Sequence, residues 1–172
     1  MKMAFDAFLK IDSIDGDSQV KGHEKEIQID SFSFGVTQFS SIGSATGGAG
    51  AGKVSLQDIH FSAPVNVASP KLFLACATGQ HFKKATLTCR KAGGDAQGID
   101  FLKINFTDLL VSGYALGSNE LDNGFSARPG DADLPTDQFS LNFHKVEMLF
   151  TSQRSDGSVG DQTVGSAAAD VG

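Results

Sequence analysis

Along most of this chain apolar and polar residues alternate with a period of two, the spacing of a strand that buries one face. The alternation predicts strands over residues 3–12, 23–37, 53–63, 82–91, 99–114 and 138–151. Within the fourth of these, Ala85, Leu87 and Cys89 alternate with Lys84, Thr86, Thr88 and Arg90. Turn residues separate the strands: Asp15-Gly16-Asp17-Ser18, Gly93-Gly94-Asp95, a Gly/Ser/Ala loop over 40–52 and a polar loop over 116–135. From residue 152 onward no apolar period remains and a mobile end is expected. The predicted organisation is one β domain over 1–160 and a flexible tail over 161–172.

The apolar phase reverses partway along several strands. Ile27 and Ile29 are odd, whereas Phe32, Phe34 and Val36 are even; Val54 and Leu56 give way to Ile59 and Phe61. Ile99 and Phe101 give way to Leu102, Ile104 and Phe106, and Phe139, Leu141 and Phe143 to Val146, Met148 and Phe150. A regular strand cannot hold both sets on one face. Either a bulge restores the face, as at a barrel corner, or the strand buries first one face inside and then the other against a second subunit. Both fit a small, strongly bent, mainly β barrel of two packed antiparallel sheets, and the second implies a homo-oligomer.

One segment departs from this pattern. Ser69-Pro70-Lys71-Leu72-Phe73-Leu74-Ala75-Cys76-Ala77 opens with a capping residue and a proline and ends near Gly79, the signature of one short helix. Ser69 is the expected N-cap, and Leu72, Phe73, Cys76 and Ala77 the expected apolar face.

Composition narrows the function. The chain has 172 residues, enough for one domain, with 14 Phe, a single Tyr (Tyr114) and no Trp. A formal charge of −6 with no dense basic run argues against nucleic acid and anionic membranes as partners. Lys83, Lys84, Arg90 and Lys91 are expected on a solvated or interface face. Cys76 and Cys89 fit no zinc spacing and are expected as buried free thiols, with a disulfide between them as the alternative. Asp6 interrupts the short apolar stretch at the start, so no signal peptide is expected, and no apolar run approaches the ~20 residues that span a bilayer.

Gly47-Gly48-Ala49-Gly50-Ala51-Gly52-Lys53 resembles a phosphate-binding loop, but Val54 stands where a Ser or Thr would hold magnesium, and strand character follows instead of a helix. His23, His60, His81 and His144 lie at no metal-ligand spacing, and Asp15/Asp17 and Asp131/Asp133 lack the rest of a calcium loop. No catalytic, cofactor-binding or metal-binding residues are therefore assigned, and the protein is expected not to be an enzyme. In Ser31-Phe32-Ser33-Phe34-Gly35 the two phenylalanines share one face and the two serines the other. The serines face either bulk solvent or a wet internal surface that something else touches.

In order and spacing these segments resemble the haemolysin-coregulated protein (Hcp) family of type VI secretion systems. The resemblance rests on Met3-Ala4-Phe5-Asp6-Ala7-Phe8-Leu9-Lys10-Ile11 with Asp15-Gly16-Asp17-Ser18, on His23, Glu26 and Ile27 before the Ser-Phe-Ser-Phe-Gly run, and on the helix from Ser69 to Gly79. It continues through Arg90-Lys91-Ala92-Gly93-Gly94, Leu109-Leu110-Val111-Ser112-Gly113-Tyr114, Phe139-Ser140-Leu141-Asn142-Phe143 and Asp156-Gly157-Ser158. Phe34 stands where the family commonly has Trp, and Asp17 where Glu is common. The resemblance implies hexameric rings stacked into a tube, sheath and spike proteins as partners, small secreted effectors as cargo, and synthesis in the cytoplasm followed by expulsion through the machine. It places Ser31 and Ser33 on the lumen, with Ser33 the residue that touches cargo. The loop with Ser40, Ser41, Gly43, Gly47, Gly48, Gly50 and Gly52 is expected to help rings stack. A phage-like tail-tube protein and, from another class, a monomeric β-barrel ligand-binding module are the alternatives.

Overall fold

A computed structural model describes residues 5–39, 53–91, 98–118 and 134–169. Among these residues, ten strands and one helix follow in the order β1 (Asp6–Ile11), β2 (Ile27–Ile29), β3 (Ser31–Ser33), β4 (Val36–Phe39), β5 (Lys53–Leu56), β6 (Ile59–Pro64), α1 (Ser69–Thr78), β7 (His81–Lys91), β8 (Ile99–Gly117), β9 (Thr136–Gln153) and β10 (Val159–Ala168). All the strand pairs among the described residues are antiparallel. The main sheet runs β2-β1-β7-β8-β9-β6-β3, with β10 also on β9; among the described residues β4 and β5 pair only with each other. The two ends of the main sheet, β2 and β3, are separated in sequence by Asp30 alone, whose N–H donates to Ser62 O on β6 (2.8 Å). One run of chain thus closes the sheet on itself around a single core that includes Leu9, Ile27, Ile59, Leu72, Leu87, Phe106 and Leu141.

The phase reversals have visible causes. Residues 23–37 and 53–63, each expected as one strand, are broken at Asp30 and again before Val36, and at Gln57–Asp58. On β7, β8 and β9 the reversal falls on one line across the sheet. Phe82 gives way to Ala85, Phe106 to Leu109, and Phe143 to Val146 as the buried residues. The pairs on either side of the line, Thr107↔Lys145 and Leu109↔Phe143, keep one register. Asp108 sits on the line at φ 52°, a left-handed conformation that Asp tolerates better than most residues. Phe34, Phe106 and Phe143 fill the inside of this bend, with Phe106 and Phe143 centroids 4.8 Å apart. A bulge at Phe101, where Cys89↔Leu102 is followed by Arg90↔Asp100, accounts for the reversal at the start of β8. Bending explains most of the pattern, but it leaves Met148 and Phe150 40% and 46% exposed.

The helix ends as expected on left-handed Gly79, whose N–H and that of Gln80 return to Cys76 O and Ala75 O. Its start and face differ from expectation. Ser69 is not the N-cap; Ala68 holds that position, and Asn66 Oδ1 accepts the Ala68 N–H at 2.9 Å. The Ser69 hydroxyl is instead drawn to the Asp137 carboxylate. The buried stripe is Ala68, Leu72 and Ala75, while Phe73 is exposed and lies edge-on to Tyr114 at 6.1 Å. Cys76 is half-buried, Cys89 is buried, and burial pushes the Cys89 thiol up to about 11.

The segment expected as a flexible tail carries a strand. Most of the segment 161–172 belongs to β10, paired from Ala168↔Lys145 to Val159↔Gln153 along the second half of β9. Apart from the exposed Val159 and Val164, its side chains are small or polar and mostly exposed, so the backbone ladder places it and no apolar period announces it.

Candidate functional site

The serine face lies on the part of the sheet made by β3, β6, the first half of β9 and the end of β8. Cross-strand rows fix which side chains share it. One row is Ser31, Ser62, Gln138 and Ala115; the next is Ser33, His60, Ser140 and Gly113. Asp58, beside Asn142, extends the same face. The intervening row, Phe32, Phe61, Phe139 and Tyr114, points the other way, with Phe61 and Phe139 stacked at 5.2 Å. The sheet is therefore aromatic on its inner side and hydroxyl- and amide-bearing on its outer side. The polar side is concave, with a cavity of 430 Å³ whose lining includes Ser31, Ser33, His60, Ser62, Gln138 and Ser140.

The hydroxyls are tied into a network. Ser31 and Ser62 Oγ lie 2.5 Å apart across β3 and β6. Ser112 is the extra residue of a bulge between Val111↔Leu141 and Gly113↔Ser140, and the bulge turns its hydroxyl onto Asp58 Oδ2 (2.7 Å) and Ser140 Oγ (2.8 Å). Asn142 Nδ2 donates to the other Asp58 oxygen at 2.8 Å. Gly113 is needed for this approach, since a Cβ there would stand 2.9 Å from Ser140 Oγ.

Behind the face, Asp137 is fully buried and accepts the Tyr114 hydroxyl at Oδ1 (2.7 Å) and the Ser69 hydroxyl at Oδ2. Burial and then the Asp137 carboxylate push the Tyr114 phenol up to about 12. These contacts fix α1 to the back of the polar sheet. A second buried polar cluster stands apart from it. His23 stacks on Phe8 at 4.5 Å and places its ring nitrogens on Glu26 and Asp100, while Arg90 Nε donates to Asp100 Oδ1 at 2.8 Å. Burial pushes the Asp100 carboxyl up, but hydrogen bonds from Arg90 and His23 outweigh it and hold the group below the usual carboxylate range.

Ser31 and Ser33 lie together on the polar face. The loop residues Ser40, Ser41, Gly43, Gly47, Gly48, Gly50 and Gly52 fall outside the described residues. Lys53 opens strand β5, not the helix that a phosphate loop requires. Asp58, His60, Ser62, Ser112, Ser140 and Asn142 escaped the sequence reading. Their signal was present, because Asp58-Ile59-His60-Phe61-Ser62 and Gln138-Phe139-Ser140-Leu141-Asn142 carry the same polar–apolar alternation as the Ser-Phe-Ser-Phe run.

Among the described residues no group of three His, Cys, Asp or Glu is arranged to hold a metal ion, and no helix is long and apolar enough to cross a membrane. A family model described as type VI secretion system effector, Hcp, matches residues 8–150. Protein hcp1 of Pseudomonas aeruginosa is 36% identical over 156 residues, spanning 91% of this chain and 89% of that protein. The crystal structure of Hcp1 from Salmonella typhimurium superposes with a TM-score of 0.72 at 30% identity, covering 96% of this chain and 95% of that one. A type VI secretion system effector from Yersinia pestis superposes with a TM-score of 0.70 at 25% identity, covering 95% and 99%.

Proposed function

The chain belongs to the Hcp family of type VI secretion system tube proteins, and from this premise we propose that it closes into hexameric rings whose lumen is lined by the β3-β6-β9-β8 polar face. The observation that carries this reading is the face itself. A concave sheet of hydroxyls and amides, backed by a row of aromatics, suits a wet channel wall better than a ligand pocket, which is mostly apolar. Its lateral edges support closure: among the described residues β3 pairs only with β6, and β8 beyond Leu110 pairs only with β9. Open edges of this kind invite pairing with another chain.

Ring contacts are head-to-tail, as cyclic closure demands. Rings stack through residues 40–52, which β4 and β5 carry between them; on β4, Val36 at the base of the ladder and Phe39 at its loop end are 56% and 67% exposed. The tube is loaded with small effectors, works with sheath and spike proteins, and leaves the cell with them. Ser31 and Ser33 contact cargo. Size-exclusion chromatography with light scattering tests the ring, and a monodisperse monomer at high concentration overturns it. For the cargo surface, Ser33→Gln adds bulk to the polar face without touching the aromatic row. It is expected to keep the ring and lower the effector that co-purifies per ring; equal retention removes Ser33 from that surface.

A further inference from the structure

Hydrogen atoms on the polar face are not distributed evenly, and Asp58 decides where they go. A carboxylate only accepts. Asn142 must therefore turn its amide N–H toward Asp58 Oδ1, and Ser112 must spend its one hydroxyl hydrogen on Oδ2. The 2.8 Å contact between Ser112 and Ser140 then has a single polarity: Ser140 donates and Ser112 accepts. Both hydroxyls have used their hydrogens within the sheet and offer only lone pairs outward. Asp58 adds a negative charge beside them. Among the described residues, the rows that make this face carry no Lys or Arg on β3, β6, β8 or β9; His60, and His81 in the row of Leu110 and Asn142, are the titratable bases of those rows, and Lys83 and His144 follow two positions further along β7 and β9.

We infer that the Asp58–Ser112–Ser140–Asn142 end of the face is a hydrogen-bond-acceptor surface that engages cargo through donors, namely the Lys, Arg and amide N–H groups of a basic protein surface. The inference rests on the lumen reading above and names the chemistry of the passenger. Charge complementarity supports it, since the partner supplies the cations and hydrogens that this end lacks and the chain carries a formal charge of −6. The contacts are short-lived by construction. A half-exposed carboxylate and hydroxyl acceptors give pairs of modest strength, screened by salt, and a passenger that must be released requires weak contacts.

Fluorescein-labelled oligolysine and oligoglutamate of equal length are the probes, with assembled rings at low salt and pH 8, above the range where histidine ordinarily charges. Anisotropy is expected to show oligolysine bound and oligoglutamate not. Asp58→Asn should weaken oligolysine binding roughly fivefold or more, a change of about 1 kcal/mol. Asp161→Asn, which removes an equal charge from exposed β10, should leave it unchanged. Ser112→Ala keeps the charge but returns the Ser140 hydrogen to the groove, and should weaken binding by a smaller factor; this variant carries the test if Asp58→Asn fails to assemble. Equal binding of the two peptides overturns the inference, as does an Asp58→Asn effect no larger than that of Asp161→Asn. If rings form and Ser33→Gln lowers effector retention while Asp58→Asn changes nothing, the acceptor chemistry falls and the lumen reading stands. If no rings form in the wild type, the lumen reading itself falls.

Discussion

Two carboxylates, one buried at Asp137 and one half-buried at Asp100, show how single residues hold this barrel together. Asp137 has no cation beside it among the contacts described and is satisfied by the hydroxyls of Tyr114 and Ser69. Tyr114→Phe leaves it short of a donor and should lower the unfolding free energy by about 1–3 kcal/mol, read from urea denaturation. Tyr114 is the only tyrosine, so its phenolate absorbance can be followed without interference. It should titrate near about 12, and Asp137→Asn should bring it down toward the ordinary value. Asp100 is the reverse case, a carboxyl held low by Arg90 and His23. Its contribution is fully present above the unfolded carboxylate value of about 4 and is lost as pH falls through the lower folded value. Asp100→Asn should therefore destabilise at neutral pH, by roughly 1–2 kcal/mol, and the gap from wild type should close in acid. A constant gap from neutral to strongly acidic pH would contradict the assignment. Neither cluster was legible in the sequence, because each joins residues brought together only by strand pairing, such as Ser69 with Asp137 and His23 with Asp100.

At the scale of the element, the period-two signal located nearly every core strand, and its reversals marked where the chain bends. The sequence left two explanations for those reversals. Strand breaks at Asp30 and Gln57–Asp58, the bulge at Phe101 and the line through Asp108 decide for bending in most of them. What the pattern missed was held by backbone alone. β10 buries little and has no apolar face, so only its ladder to β9 reveals it. The serine run on β3 was legible and the same alternation was present on β6 and β9, but alternation within a strand does not say which strand lies beside it, so their shared face was not. The bend gives a sharp test. Asp108 at φ 52° should accept glycine with little change, whereas the β-branched Asp108→Val should cost about 1–2 kcal/mol, measured by thermal or urea unfolding. Equal stability of the two variants would show that the conformation is not required.

For the molecule as a whole, one side of a bent sheet becomes a core and the other a polar wall, which is the division of labour a tube subunit needs. Val36, Phe39, Met148 and Phe150 are among the large apolar side chains that the described residues leave exposed. The way the barrel closes has a mechanical consequence. Residues 27–33 join the first strand of the main sheet to the last, with Asp30 between them, so the hoop is completed by covalent backbone as well as by hydrogen bonds. A circular permutation that opened the chain at Asp30 would preserve every pairing partner, β2 with β1 and β3 with β6, yet turn a buckled belt into a loose strap. Under thrust along its axis a belt keeps its circumference, whereas a strap spreads at its free ends.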